Sequence, residues 1–258
     1  MRNLQTFIDA LRQNLNLAVG SEDGNSQTAS NPERLPFDAA LPRWLQEQHG
    51  TNARKAERWR RMGTPCLSPE LAYGRHRGPD QRNSRKAAVA VTVLFDEQHD
   101  HWIPLTRRPT RLQHHGGQIS FPGGKIERGE TAEQAATREF EEELGRLPPG
   151  MSMVGLLPHQ YVYASNNWVT PVVFIAQPPL FPWKPEPTEV AEVLECPITS
   201  IVDPELTTTH RQRPIRGPHG EESGMLAFRA PAYRCQNHEI WGATAIILSQ
   251  LARILPSS

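Results

Sequence analysis

Residues 124–146 read GKIERGETAEQAATREFEEELGR, from Gly124 to Arg146. The part from 131 to 144 lacks glycine and proline and is rich in helix formers, so it predicts a helix with Thr131 as its N-cap. On that helix Glu139, Glu142 and Glu143 stand at i, i+3 and i+4 and share an arc of about 100° on one face. Like charges at this spacing repel and call for a counter-ion. Hard oxygen donors in such a group suit Mg²⁺ or Mn²⁺, and the face carrying them is expected to be open to solvent. Glu141 points away and reads as merely solvated. A glutamate-rich helix alone would carry little weight. Here Gly124, Glu130, Arg138, Glu139, Glu142, Glu143 and Gly145 stand in the pattern G-x5-E-x7-R-E-x-x-E-E-x-G. Seven fixed positions match by chance on the order of 10⁻⁹ per starting point.

The residues just before this helix have the opposite charge. Positions 101–126 contain no aspartate or glutamate but hold Arg107, Arg108, Arg111, Lys125, His101, His114 and His115. The next seventeen residues carry seven glutamates. A basic arm beside an acidic helix is a layout for a polyanion bridged by metal ions.

The acidic pattern resembles the signature box of the Nudix hydrolase superfamily, with Phe140 at the hydrophobic position after R-E. Arg146 departs from the hydrophobic residue expected after the last glycine, and Leu147 stands next to it. The resemblance implies an α/β/α sandwich around a mixed sheet. It also implies that Glu139, Glu142 and Glu143 coordinate divalent metal, that the Gly123 carbonyl assists, and that Glu130 and Arg138 brace the loop against the helix. Metals so held would clamp a pyrophosphate, neutralise charge developing on its oxygens and acidify an attacking water.

Residues 105–124, LTRRPTRLQHHGGQISFPGG, resemble the second motif of the coenzyme A pyrophosphatase branch of these enzymes. Leu105, Thr106, Arg108, Gly117, Phe121, Pro122, Gly123 and Gly124 match in register. Pro104, Pro109 and Gln113 depart, and Gln113 removes an arginine that the motif carries. Glu189-Val190, and the WGATA run from Trp241, are similar to that branch too, and Glu189 joins the expected ligand set. Arg107, Arg108, Arg111, His115, Gly117 and Lys125 are the candidate substrate contacts. The resemblance covers about 87–255 and implies cleavage of coenzyme A or acyl-CoA to 3′,5′-ADP and 4′-phosphopantetheine. A dinucleoside-polyphosphate or ADP-ribose hydrolase is the alternative, because Tyr163 falls 17 positions after Arg146, where the diadenosine-polyphosphate group carries a tyrosine. A non-catalytic Nudix-like binding module is a third reading, which the intact glutamates disfavour.

Outward from these motifs, AAVAVTVLF at 87–95 is an apolar, β-branched run that reads as a buried strand. Further strands are expected at 102–107, 151–157, 168–176, 190–195 and 225–235, and a closing helix at 243–255. A domain is therefore expected over 86–258, after an extension over 1–85. In that extension Leu4, Phe7, Ile8, Leu11 and Leu15 fall at helical spacing, which predicts an amphipathic helix over 3–17 docked on the protein's own surface. A polar linker follows at 18–35, a basic helix at 43–62, and irregular chain at 63–85. Every chemical motif lies after Lys86, so the extension is expected to be dispensable for the chemistry.

A formal net charge of zero gives no reason to expect nucleic acid as a partner. No apolar run approaches the ~20 residues that span a bilayer. Cys66, Cys196 and Cys235 are odd in number and widely spaced, which argues against a disulfide framework and for a reducing, cytoplasmic setting. The expected partner is a small-molecule substrate, and a homodimer is left open.

Overall fold

A computed structural model of the chain describes residues 2–20, 84–96, 101–111, 116–162, 165–202, 206–216 and 222–255. The helix expected at 43–62, most of the linker, Gln113, His114, His115 and Tyr163 lie outside the described residues.

The centre is an eight-stranded mixed sheet. Strand β1 (Arg85–Phe95) runs parallel to β7 (Asn167–Ala176) along ten paired residues, from Arg85↔Asn167 to Leu94↔Ala176. On its other edge β1 meets β2 (His101–Arg107) at one end and β4 (Gly123–Lys125) at the other, both antiparallel. The short β3 (Ile119–Ser120) and β8 (Glu192–Pro197) pair with β2. Strands β5 (Ser152–Leu156) and β6 (Gln160–Val162) pair antiparallel with β7.

The alternation of β1 sorts the two layers. Ala88 and Ala90 turn to helix α2 (Ala132–Leu144), where they pack with Ala135, Ala136, Phe140 and Leu144. Small side chains let the helix lie close on the sheet. Val91, Val93 and Phe95 turn the other way, into the larger apolar cluster. Helices α1 (Arg2–Gly20) and α4 (Gly242–Ile254) cover that face, with the short α3 (Thr199–Val202) beside them. The α/β sandwich expected from the sequence is therefore present.

Helix α1 runs three residues beyond the expected end and belongs to this core. Leu11 and Leu15 are buried with the sheet residues, the Phe7 ring meets Phe95 edge-on at 4.9 Å, and Asn14 Nδ2 donates to the Ile254 carbonyl at 2.9 Å. Each buried leucine contributes about 2 kcal/mol.

A second, antiparallel sheet consists of β9 (Leu206–Arg216), β10 (Glu222–Cys235) and β11 (His238–Trp241). The sequence predicted only part of β10. β9 reads LTTTHRQRPIR, without the apolar alternation that marks a half-buried strand. β11 is four residues long, too short for a period to show. Cys235 and Ile240 tie this sheet to the main core.

Candidate active site

The acidic helix is fixed at both ends. Thr131 Oγ1 accepts from the Gln134 N–H at 3.2 Å, and Gln134 Oε1 accepts from the Thr131 N–H at 2.9 Å, a reciprocal N-terminal cap. At the other end Gly145 is left-handed, with φ of 76°, and its N–H reaches the Glu141 carbonyl at 2.8 Å. A strap over 184–189 satisfies the next carbonyls. The Glu186 N–H donates to Glu143 O at 3.1 Å and the Lys184 N–H to Leu144 O at 3.0 Å. The strap turns tightly because Glu186 Oε1 accepts from both the backbone and hydroxyl of Thr188, at 3.2 and 2.8 Å.

Glu139, Glu142 and Glu143 occupy one helix face but three environments, which corrects the expectation of an evenly solvated face. The Glu142 side chain is 57% exposed, that of Glu139 16%, and Glu143 as a residue 4%. Glu143 reaches inward, where Oε2 accepts from Thr106 Oγ1 at 3.0 Å and Oε1 from the Gly123 N–H at 3.4 Å. Burial pushes its pKa up to about 7, against the pull of those two donors and the Arg108 charge. Burial also raises the Glu139 carboxyl, opposed by Arg138 and reinforced by the charges of Glu142 and Glu189.

Arg138 is the local counter-charge. Its Nε and Nη2 grip both oxygens of Glu130 at 2.8 and 3.1 Å, Nη1 reaches Glu139 at 2.9 Å and Glu142 at 3.1 Å, and Nη2 also donates to the Lys125 carbonyl at 3.1 Å. The guanidinium holds the Glu130 carboxyl down to about 2, and Glu130 in turn raises the Arg138 pKa. Gly124 is a glycine for a steric reason, since a Cβ there would fall into the Glu139 carboxylate. At Gly123 a Cβ would strike the Ala88 carbonyl.

Among the described residues these carboxylates do not converge on one point, because Arg138 draws Glu139 and Glu142 while Glu143 faces inward. Their chemistry still fits a divalent ion. They are hard oxygen donors, and a buried carboxylate with a raised pKa ionises most readily beside a cation.

The basic arm divides between two destinations. Successive residues of β2 face opposite sides of the sheet. Thr106 and the charge of Arg108 serve Glu143, whereas Arg107 Nε pairs with Glu192 Oε2 at 2.7 Å on the far side. Glu192 Oε1 also faces His238 Nε2 at 3.3 Å. Arg111 Nη2 donates to the Pro187 carbonyl of the strap at 3.0 Å, and Lys125 pairs with Glu127 at 3.2 Å. Gly117, at φ of 73°, closes the arm by donating its N–H to Arg108 O at 3.0 Å.

The protein-family model for the NUDIX domain matches residues 84–216, just over half of the chain, and contains this whole arrangement except the β10–β11 hairpin. The chain belongs to the Nudix hydrolase family. Two relatives, each titled "Uncharacterized Nudix hydrolase NudL", come from Salmonella paratyphi B and Salmonella newport. Each is 32% identical over 187 residues, covering 72% of this chain and 88% of the relative. Among solved structures, the Nudix hydrolase RenU from M. smegmatis is 22% identical over 46% of this chain and 74% of its own, with a TM-score of 0.39. A MutT/nudix family protein from Enterococcus faecalis is 13% identical over 89% of this chain and 75% of its own, with a TM-score of 0.42.

This Nudix hydrolase is accordingly a pyrophosphohydrolase, and hydrolases of the family use divalent metal ions. No helix among its described residues is long and apolar enough to cross a membrane. Sequence reasoning gave no role to Glu192 or His238 and named Thr106 only as a match to the motif at 105–124. For Thr106 the available signal was its even spacing from Arg108 on a strand. Glu192 and His238 lie 85 and 46 positions from their partners, and nothing local marks them.

Proposed function

We propose that this Nudix hydrolase cleaves the pyrophosphate of coenzyme A or acyl-CoA, releasing 3′,5′-ADP and (acyl-)4′-phosphopantetheine. The observation that carries this reading is the hydrogen bond from Thr106, within the coenzyme A-type motif at 105–124, to Glu143 of the acidic helix, which also feels the charge of Arg108 from the same motif. That motif is thereby joined to the chemical centre and is not a remote surface feature.

In this reading Glu139, Glu142, Glu143 and Glu189, with the Gly123 carbonyl, hold Mg²⁺ or Mn²⁺. When bound, the metal supplies charge to the pyrophosphate oxygens and acidifies the attacking water. The chain's own residues do the rest. Arg138 and Glu130 fix the loop against the helix, and the Gly123 N–H and Thr106 hydroxyl orient Glu143. The Arg108 guanidinium attracts the substrate phosphates. Arg111, through the strap, sets where Glu189 stands relative to Glu139. His115, Gly117 and Lys125 complete the basic approach, and Arg107 acts from behind by anchoring β8. The catalytic domain is 86–258, working on a small-molecule substrate in the cytoplasm.

A panel of coenzyme A, acyl-CoA, ADP-ribose, diadenosine polyphosphates and deoxynucleoside triphosphates tests this, with products identified by mass. The expected result is 3′,5′-ADP and 4′-phosphopantetheine from coenzyme A, dependent on added Mg²⁺ or Mn²⁺. Efficient cleavage of ADP-ribose or diadenosine polyphosphates with coenzyme A untouched contradicts it.

A further inference from the structure

A polar cavity of about 460 Å³ lies across the sheet edge from the acidic helix. Gly117 and Ile119 of the basic arm form one wall. Arg211 of β9 and the β10–β11 hairpin, with Arg234, Gln236, His238 and Glu239, form the other. Its size falls in the range of small-molecule sites.

The cavity is coupled to the catalytic side through β2. Thr106 pairs with Ser120 and contacts Glu143, while the next pair, Arg107 and Ile119, belongs to the cavity side. Arg107 is held by Glu192, which also faces His238 in the cavity wall. Gly117, with no side chain, stands in the cavity wall and donates its N–H to Arg108 O.

Two features mark the cavity as a recognition element. Its hairpin residues lie beyond 216, outside the stretch that matches the shared domain. They are therefore placed to distinguish this enzyme's substrate rather than to perform the common chemistry. The Arg211 guanidinium is also built in, and Arg234 stands exposed at the rim. Arg211 lies over the Trp241 ring at 5.2 Å and beside Glu239 at 3.7 Å. Gln236 holds the hairpin turn in a left-handed conformation, with φ of 54°, and donates to the Glu195 carbonyl at 3.4 Å. Side chains other than glycine and asparagine adopt that backbone at a cost, and such strain gathers at functional positions.

We propose that this cavity is the subsite for a phosphomonoester on the nucleoside end of the substrate, with Arg234 and Arg211 as its cations. Guanidinium groups bind phosphate by paired, charge-assisted hydrogen bonds, and the amide and imidazole groups beside them add donors. The inference rests on the coenzyme A reading, whose substrate carries such a group as its 3′-phosphate.

Binding without turnover tests it. The full-length protein in a chelating buffer is titrated calorimetrically with adenosine 3′,5′-bisphosphate and with 5′-AMP. The expected result is at least ~10-fold tighter binding of the bisphosphate. Arg234→Ala should reduce that ratio below about 2-fold by weakening the bisphosphate, and Arg234→Lys, which keeps the charge but loses the paired hydrogen bonds, should retain only part of it. Arg234→Gln, which keeps a polar side chain without the charge, replaces the alanine variant if that one melts early. Equal affinities in the wild type, a preference that survives Arg234→Gln, or an equal loss for both nucleotides each overturn the subsite. Failure to cleave coenzyme A alongside an Arg234-dependent bisphosphate preference overturns the substrate reading and leaves the subsite standing. Cleavage of coenzyme A without that preference does the reverse.

Discussion

The hydroxyl of Thr106 donates to Glu143 Oε2 at 3.0 Å, joining the second strand to the acidic helix across 37 residues of sequence. A hydroxyl has one proton, and the Ser120 carbonyl stands 3.4 Å away as the competing acceptor. When Glu143 is ionised the carboxylate takes that proton. When Glu143 is protonated its own O–H can donate to Thr106, which then turns to Ser120. Thr106 thus stabilises and orients the charged form. Thr106→Val should lower kcat by about 10–100-fold, the worth of a hydrogen bond to a buried charge. Thr106→Ser should restore most of it. Steady-state kinetics on the two variants checks this, and an active Thr106→Val beside an impaired Thr106→Ser would show that the methyl group, not the hydroxyl, matters.

Glu143→Gln should abolish turnover and also reveal a pH-dependent effect on stability. The folded pKa of about 7 lies above the ordinary 4.5, so between these values the folded state binds more protons than the unfolded one. Stability from this group is therefore present at pH 4 and is lost as pH rises toward 7. Its loss is on the order of 3 kcal/mol at pH 8. In a chelating buffer Glu143→Gln should melt close to the wild type at pH 4–5 and above it at pH 8. Glu142 is largely exposed, so Glu142→Gln should lose kcat while barely moving the melting temperature at either pH. Thermal melts at the two pH values decide this, and a wild type that gains on both variants as pH rises would contradict it.

Arg107 and Arg108 are adjacent in sequence and opposite in role. Arg108→Ala should cost about 10–100-fold in kcat/KM with little change in melting temperature. Arg107→Ala leaves Glu192 with His238 as its remaining partner, so its first effect should be a lower melting temperature. Parallel kinetics and melts of both variants test the alternation, and identical profiles would refute it.

The chemical half of this protein was legible because its signals are local. The box at 124–146 announces itself within one helix and its entry loop, and AAVAVTVLF shows its strand directly. What stayed hidden depends on distant partners. Nothing within the helix shows that Glu143 is buried while Glu142 is not, because Thr106 and Gly123 create that difference from another strand and a loop. β9 was missed because its arginines and proline break the alternation, although its partner β10 holds it along eleven residue pairs. The strap at 184–189 carries no periodic signal, and its hydrogen bonds to Glu143 and Leu144 are what make it the helix's C-terminal cap.

Helix α1 carries no catalytic motif, yet its leucines complete the core. Leu11→Ala should destabilise the protein by about 2–5 kcal/mol. A chain that starts near Asn83 should therefore lose stability before it loses chemistry. Urea unfolding of Leu11→Ala measures the first effect, and a change below about 0.5 kcal/mol would show that the helix is only loosely docked.

The most direct test of the central claim is the ratio of kcat/KM for coenzyme A to that for 3′-dephospho-CoA and for ADP-ribose, measured on the wild-type enzyme with saturating Mg²⁺ or Mn²⁺. The account predicts a preference for coenzyme A of at least ~10-fold over each, about 1.4 kcal/mol. A preference for 3′-dephospho-CoA or ADP-ribose would contradict it.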